Sequence, residues 1–168
     1  MKKWVYWLLP VMWMGVIFYS SATPYEQQDV KPFMGRTFDL SFMAPYVDWI
    51  AFTYHHAEVS VAALGVEGFI EFFLRKGAHV GVFFILMCLF FIAIRQTTRL
   101  RLRAALAVSF FLTAAYAGMD EFHQSFTANR TPYAGDVLLD TAGALLAGIL
   151  LVFFQRKRDK NNSCHENI

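Results

Sequence analysis

Glu67, Glu71, Arg75 and His79 follow one another at intervals of four residues, so on a helix each stands beside the next on one face. Asp136 and Asp140 repeat that interval further along. Between these two sets lie Asp120, Glu121, His123 and Gln124, with Arg130 shortly after. Groups of these types support three kinds of chemistry. Arg75, Lys76 and Arg130 can grip a phosphate or carboxylate through charge-assisted hydrogen bonds, while Asp120, Glu121, Asp136 and Asp140 hold those cations in place. His79 and His123 can exchange protons near neutral pH. A base at Glu121, His123 or Asp120, with an Arg stabilising an anionic transition state, would make a hydrolase or transferase. The third possibility is an ion-pair network whose only task is to tie helix ends together. Four acids, two Arg, one Lys and two His exceed what joining three helices requires.

Other chemistry has less behind it. No HExxH and no repeated Cys/His spacing is present, so no metal site is expected. His55 and His56 near Glu58 read as the polar rim of a loop. Cys88 lies in an apolar run and Cys164 in a polar tail, so they are not expected to meet in a disulfide. No basic face with interleaved aromatics argues for nucleic acid. Nothing in the sequence specifies a cofactor or an oligomeric state.

The elements that must position these residues are apolar. Of 168 residues, 57% are hydrophobic and 17% charged, where a soluble domain carries about a quarter charged. The apolar residues fall into four runs, Trp4 to Tyr19, Gly77 to Ile94, Ala104 to Met119 and Val137 to Phe154. Each approaches the roughly 20 residues a helix needs to cross the hydrocarbon core. The expected fold is all-α, an integral membrane bundle of four transmembrane helices over residues 1–155, with spans near 4–21, 77–94, 104–119 and 137–154. Residues 156–168 form a polar tail. Lys2 and Lys3 before the first run, and Ser20-Ser21-Ala22 after it, resemble a cleavable signal. The run is long and Trp-rich for that role, so a retained helix is expected.

Ten of the fifteen Lys and Arg precede the first run, join the second to the third or follow the fourth. Four crossings put all ten on one side, which the positive-inside rule makes cytoplasmic, together with both termini. The acidic and histidine groups then gather at the outer ends of the helices. Arg75 and Lys76 stand at a helix N-terminus and Asp120 and Glu121 at a C-terminus, each on the wrong pole of the helix dipole by a few tenths to about 1 kcal/mol. They are therefore expected to converge on one another, with Arg75 and His79 approaching Asp120, Glu121 and Asp140. No ionisable residue lies deeper than the outer third of a span, which argues against proton-coupled transport.

The longer outer segment, residues 22–76, is too aromatic to stay fully solvated. Val66, Phe69, Ile70, Phe73 and Leu74 form one apolar face, so Val66 to Lys76 is expected to be an amphipathic helix in the outer interface that feeds the second span. Ala144, Ala147 and Gly148 are expected to permit close helix approach on the fourth.

Arg75-Lys76-x-x-His79 opening one helix, followed by Asp120-Glu121-x-His123-Gln124, Arg130, Asp136, Asp140 and Gly143 in that order, resembles the VanZ family. Tyr19-Ser20-Ser21 fits the same pattern, and the resemblance runs from Trp4 to Phe154. Ala22 and Phe83 depart from it, standing where many members have Gln and Tyr. The resemblance implies a multi-pass bacterial membrane protein linked to glycopeptide resistance, teicoplanin in particular. It adds Ser20 to the ligand-binding set of Arg75, Lys76, His79, Gln124, Arg130, Asp136 and Asp140. Expected partners are membrane lipids, a lipid-linked wall precursor or the drug itself.

Overall fold

In a computed structural model, residues 3–23, 40–127 and 133–165 are described, with side chains as far as Arg158. A 3-10 turn, Lys3–Trp7, leads into α1 (Leu8–Ala22). The four-residue α2 (Ala44–Val47) precedes a hairpin of β1 (Ala51–Tyr54) and β2 (Ala57–Ser60). Three long helices follow: α3 (Val61–Thr97), α4 (Leu102–Gln124) and α5 (Ala134–His165). Among the described residues four helices, counting α1 with its leading turn, are long and apolar enough to cross a membrane.

Lipid rather than water suits the outside of this bundle. Met12, Phe111, Leu145, Ile149 and Phe153 are each exposed by more than half, forming an apolar belt far beyond what a soluble monomer leaves uncovered. Inside, the residues are small or closely fitted. Phe83, Leu86, Phe90, Tyr116 and Ala117 pack with Ile17 of α1, and Met87 packs with Ala144 and Ala147 of α5. Polar atoms inside such a bundle must find partners within the protein. Trp13 Nε1 donates to the Val82 carbonyl at 2.9 Å and the Tyr116 hydroxyl to the Met14 carbonyl at 2.6 Å. The Ser109 and Thr113 hydroxyls bond back to carbonyls one turn earlier on α4.

The small-residue expectation for α5 holds at Ala144 and Ala147, both fully buried. The tightest contact is one position earlier: a Cβ on Gly143 would run into the Val80 carbonyl of α3. At Gly148 the same atom would meet only the end of the Met87 side chain, at an ordinary 3.6 Å.

Successive long helices alternate in direction, which their contacts at the two ends show. At one end Ser21 of α1 bonds Asp120 of α4, and Lys76 and His79 of α3 meet Asp136 and Asp140 of α5. At the other, Trp7 Nε1 donates to Thr97 Oγ1 at 3.2 Å, and Phe91, Ile94 and Ala105 pack against Leu151. The second end carries the exposed Arg95, Arg99, Arg101, Arg103, Arg156, Lys157 and Arg158. These are the acidic and the basic end of the bundle.

Val66 to Lys76 is helical, as its periodicity predicts, but it is not a separate element. Those residues are the first turns of α3 itself. Only Gly65, at φ 72°, leaves helical geometry, and Ser60 caps the start by accepting the Ala63 N–H. Beyond Gly65 the helix runs unbroken to Thr97, roughly 48 Å at about 1.5 Å per residue. The hydrocarbon core measures only about 30 Å, so the opening turns of α3 extend past it as a coaxial stem.

Candidate functional site

The stem of α3 carries the four-residue stripe, and three of its side chains are each matched by a carboxylate. Arg75 Nη2 donates to Glu71 Oε1 at 2.9 Å, one turn back on the same helix. Lys76 Nζ donates to Asp136 Oδ1 at 2.6 Å, and His79 Nδ1 lies 3.2 Å from Asp140 Oδ1. The second and third pairs lie three residues apart on α3 and four apart on α5, so the opening turns of these two parallel helices are tied together by two acid–base contacts. Asp140 is 1% exposed, and an imidazole held by a buried carboxylate is fixed in orientation.

Beside these pairs lies a cleft of about 110 Å³ between α1, α3 and α4. Ser20, Ser21, Arg75, His79 and Asp120 supply its polar walls, and Ile17, Ala78 and Phe83 its apolar floor. Asp120 is 2% exposed. Its Oδ2 accepts from Ser21 Oγ at 2.9 Å and from Gln124 Nε2 at 2.8 Å. Its Oδ1 is buried with no hydrogen-bond partner among the described residues. A buried acceptor left in that state costs about 1–3 kcal/mol, more when charged.

Lys76 does not line this cleft. Its ammonium sits 4.5 Å over the Tyr54 ring and 5.7 Å from the Phe72 ring while it bonds Asp136. Tyr54 belongs to β1, and its hydroxyl donates to the same Asp136 oxygen. Burial, then that hydrogen bond and the charge of Asp136, hold the Tyr54 phenol far above its usual range, so it stays a donor. The hairpin is thereby latched to the start of α5. Its turn places His55 and His56 at φ 48° and 63°, the left-handed geometry of a two-residue hairpin turn that ordinarily uses Asn-Gly. The His55 ring stacks on Tyr133 with centroids 4.6 Å apart. The histidine pair is therefore a hairpin tip rather than a loop rim. Tyr54 and Tyr133 carried no signal in the sequence, because their role depends on a hairpin whose turn lacks glycine.

The remaining site candidates divide. Glu121 accepts the Tyr133 backbone N–H and is not among the residues of the cleft. The His123 ring stacks on Phe18 of α1 at 4.0 Å, with Nδ1 buried and unpartnered among the described residues. It too lies outside the cleft. Gln124 does not line the cleft but donates to two of its residues, Asp120 at 2.8 Å and Ser21 at 3.4 Å. Ser20 lines it directly, and Ser21, which the sequence offered no reason to prefer, contributes the hydrogen bond to Asp120. Arg130 lies outside the described residues. Among the described residues no group of His, Cys, Asp and Glu has the geometry to hold a metal ion.

The model of the VanZ/LLP1 family matches residues 6–155. The chain belongs to the VanZ/LLP1 family. No curated protein and no solved structure shows significant similarity to it. As a VanZ-like membrane protein, it keeps Arg75, His79 and Asp120 around one cleft. Phe83 gives that cleft an apolar side.

Proposed function

We propose that the protein binds the anionic head group, phosphate or carboxylate, of an envelope lipid or lipid-linked molecule at the cleft between α1, α3 and α4. The observation that carries this reading is the meeting of Arg75, His79 and Asp120 with two serine hydroxyls in one open cleft at the acidic end of the bundle. Arg75 offers the planar donor fork suited to a phosphate or carboxylate. The pairs Glu71–Arg75 and Asp140–His79 hold both side chains in position before a ligand arrives, which lowers the ordering cost of binding. The apolar belt below lets acyl chains stay in lipid while the head group reaches the cleft.

The basic residues favour an orientation with both termini cytoplasmic and the cleft facing the outer leaflet. A lipid-linked wall precursor and a lipid-bearing glycopeptide such as teicoplanin present suitable anionic groups there, and the family's link to glycopeptide resistance supports a part in tolerance to such a drug. An enzymatic role for Glu121 or His123 has less support, since neither lines the cleft. The test is thermal stabilisation of the detergent-purified protein by dihexanoyl phosphatidylglycerol against uncharged dihexanoylglycerol. Stabilisation by the phosphate lipid alone, lost in Arg75→Gln, is expected. Equal stabilisation by both, or an undiminished effect in Arg75→Gln, would remove the reading.

A further inference from the structure

Charge around the cleft does not suit a pure anion. The Arg75 guanidinium is already countered by Glu71, and His79 faces Asp140. Asp120 has no cation within ion-pair distance among the described residues, and its Oδ1 has no donor, although it is 2% exposed and lines the cleft. Its other oxygen is saturated by Ser21 and Gln124. One wall therefore offers the donors of Arg75, and another an unsatisfied buried carboxylate oxygen. The complement of such a pair is a dipolar ligand with an acceptor at one end and a charged N–H donor at the other.

Building on the proposed head-group binding, we propose that the cleft selects a head group carrying a primary ammonium beside its phosphate. Arg75 takes the phosphate and Asp120 Oδ1 takes the ammonium, with the Ser20 hydroxyl at the mouth. An N–H donor matters as much as charge, because the orphan oxygen needs a hydrogen bond and a quaternary ammonium has none to give. A neutral hydroxyl would fill the same place with a weaker bond, since charge-assisted pairs are roughly twice as strong. Lys76 and Asp136 take no part, being committed to the hairpin latch.

The experiment titrates the full-length protein in detergent with dihexanoyl lipids bearing phosphoethanolamine, phosphocholine or phosphoglycerol. Free O-phosphoethanolamine forms a fourth arm. Binding is read by thermal stabilisation. The ethanolamine lipid is expected to bind at least ~10-fold more tightly than the choline lipid, the scale of a charge-assisted hydrogen bond. Asp120→Asn should bring the ethanolamine and choline lipids to parity. Arg75→Gln should weaken all three lipids. Free phosphoethanolamine binding as well as the lipid would identify a soluble ligand of the same chemistry and overturn the lipid assignment. Equal affinity for ethanolamine and choline, or a preference that survives Asp120→Asn, would overturn the ammonium proposal while leaving phosphate binding standing. Loss of all lipid binding in the wild type would instead remove the underlying reading. Asp120→Glu guards against a folding defect: if Asp120→Asn fails to accumulate, the glutamate variant should keep the charge and the ethanolamine preference. Its loss in a folded Asp120→Glu protein with intact phosphoglycerol binding would also count against the proposal.

Discussion

Replacing Lys76 by Met removes an ammonium 2.6 Å from Asp136 Oδ1 and 4.5 Å from the centre of the Tyr54 ring. Both side chains of the pair are 17% exposed. That places it between a solvated bridge, worth at most about 1 kcal/mol, and a buried one, whose rupture costs about 3–5 kcal/mol. Asp136 is not orphaned by the change, because the Tyr54 hydroxyl still donates to it. Methionine also keeps most of the apolar stem. Lys76→Met is therefore expected to cost about 1.5–3 kcal/mol, the range for a hydrogen bond to a charged group. Asp136→Asn should cost a similar amount, and the double variant less than the sum, with a coupling of about 1–2 kcal/mol. The assay is SDS-driven unfolding in mixed micelles, followed by the fluorescence of the four tryptophans. Phosphate-lipid binding should persist in folded Lys76→Met. Additive single effects, or unchanged stability with lost binding, would refute the latch and return Lys76 to the ligand-gripping set.

Gly143→Ala should destabilise by about 1–3 kcal/mol through overpacking against the Val80 carbonyl, whereas Gly148→Ala should melt close to wild type in the same detergent. Equal effects would contradict the close approach. Tyr54→Phe should cost about 1 kcal/mol, the net worth of one hydrogen bond, uniformly from pH 6 to 9. The raised phenol contributes fully below its unfolded value of about 10, and its contribution declines only as pH rises through the folded value; a steep dependence near pH 7 would contradict this. With Cys88 and Cys164 replaced, Asp48→Cys should react with an impermeant thiol reagent on intact cells and Thr98→Cys should not; the reverse pattern would invert the orientation. Arg75→Lys should abolish teicoplanin tolerance while the protein still accumulates and melts normally, and full tolerance at normal expression would leave the charged cluster a structural network.

The sequence made the bundle legible because apolar runs and a four-residue polar stripe survive any detail of packing. The approach of His79 to Asp140 could be anticipated, because both stand in the first turn of apolar runs that begin at the same end of the bundle. What sequence could not assign was which partner each group takes. Lys76 and Arg75 are neighbours of similar charge, yet a rotation of about 100° along the helix sends one to the hairpin latch and leaves the other on the cleft. Glu121 and Asp120 divide in the same way, one to the Tyr133 N–H and one to Ser21. The hairpin itself was hidden because its turn uses His55 and His56 in left-handed geometry where Asn-Gly would have announced it. The closest approach of α5 to α3 fell at Gly143, one position before Ala144, rather than at Gly148, a placement that spacing alone does not resolve.

The most direct measurement is the distance between lipid phosphorus and the Arg75 guanidinium nitrogens, obtained by solid-state NMR on isotope-labelled protein reconstituted in phosphatidylethanolamine bilayers. The expected result is a phosphorus-to-nitrogen contact of about 4 Å, as in a paired guanidinium and phosphate, that disappears in Arg75→Lys. No such contact in the wild type, or one that persists unchanged in Arg75→Lys, would contradict head-group binding at the cleft.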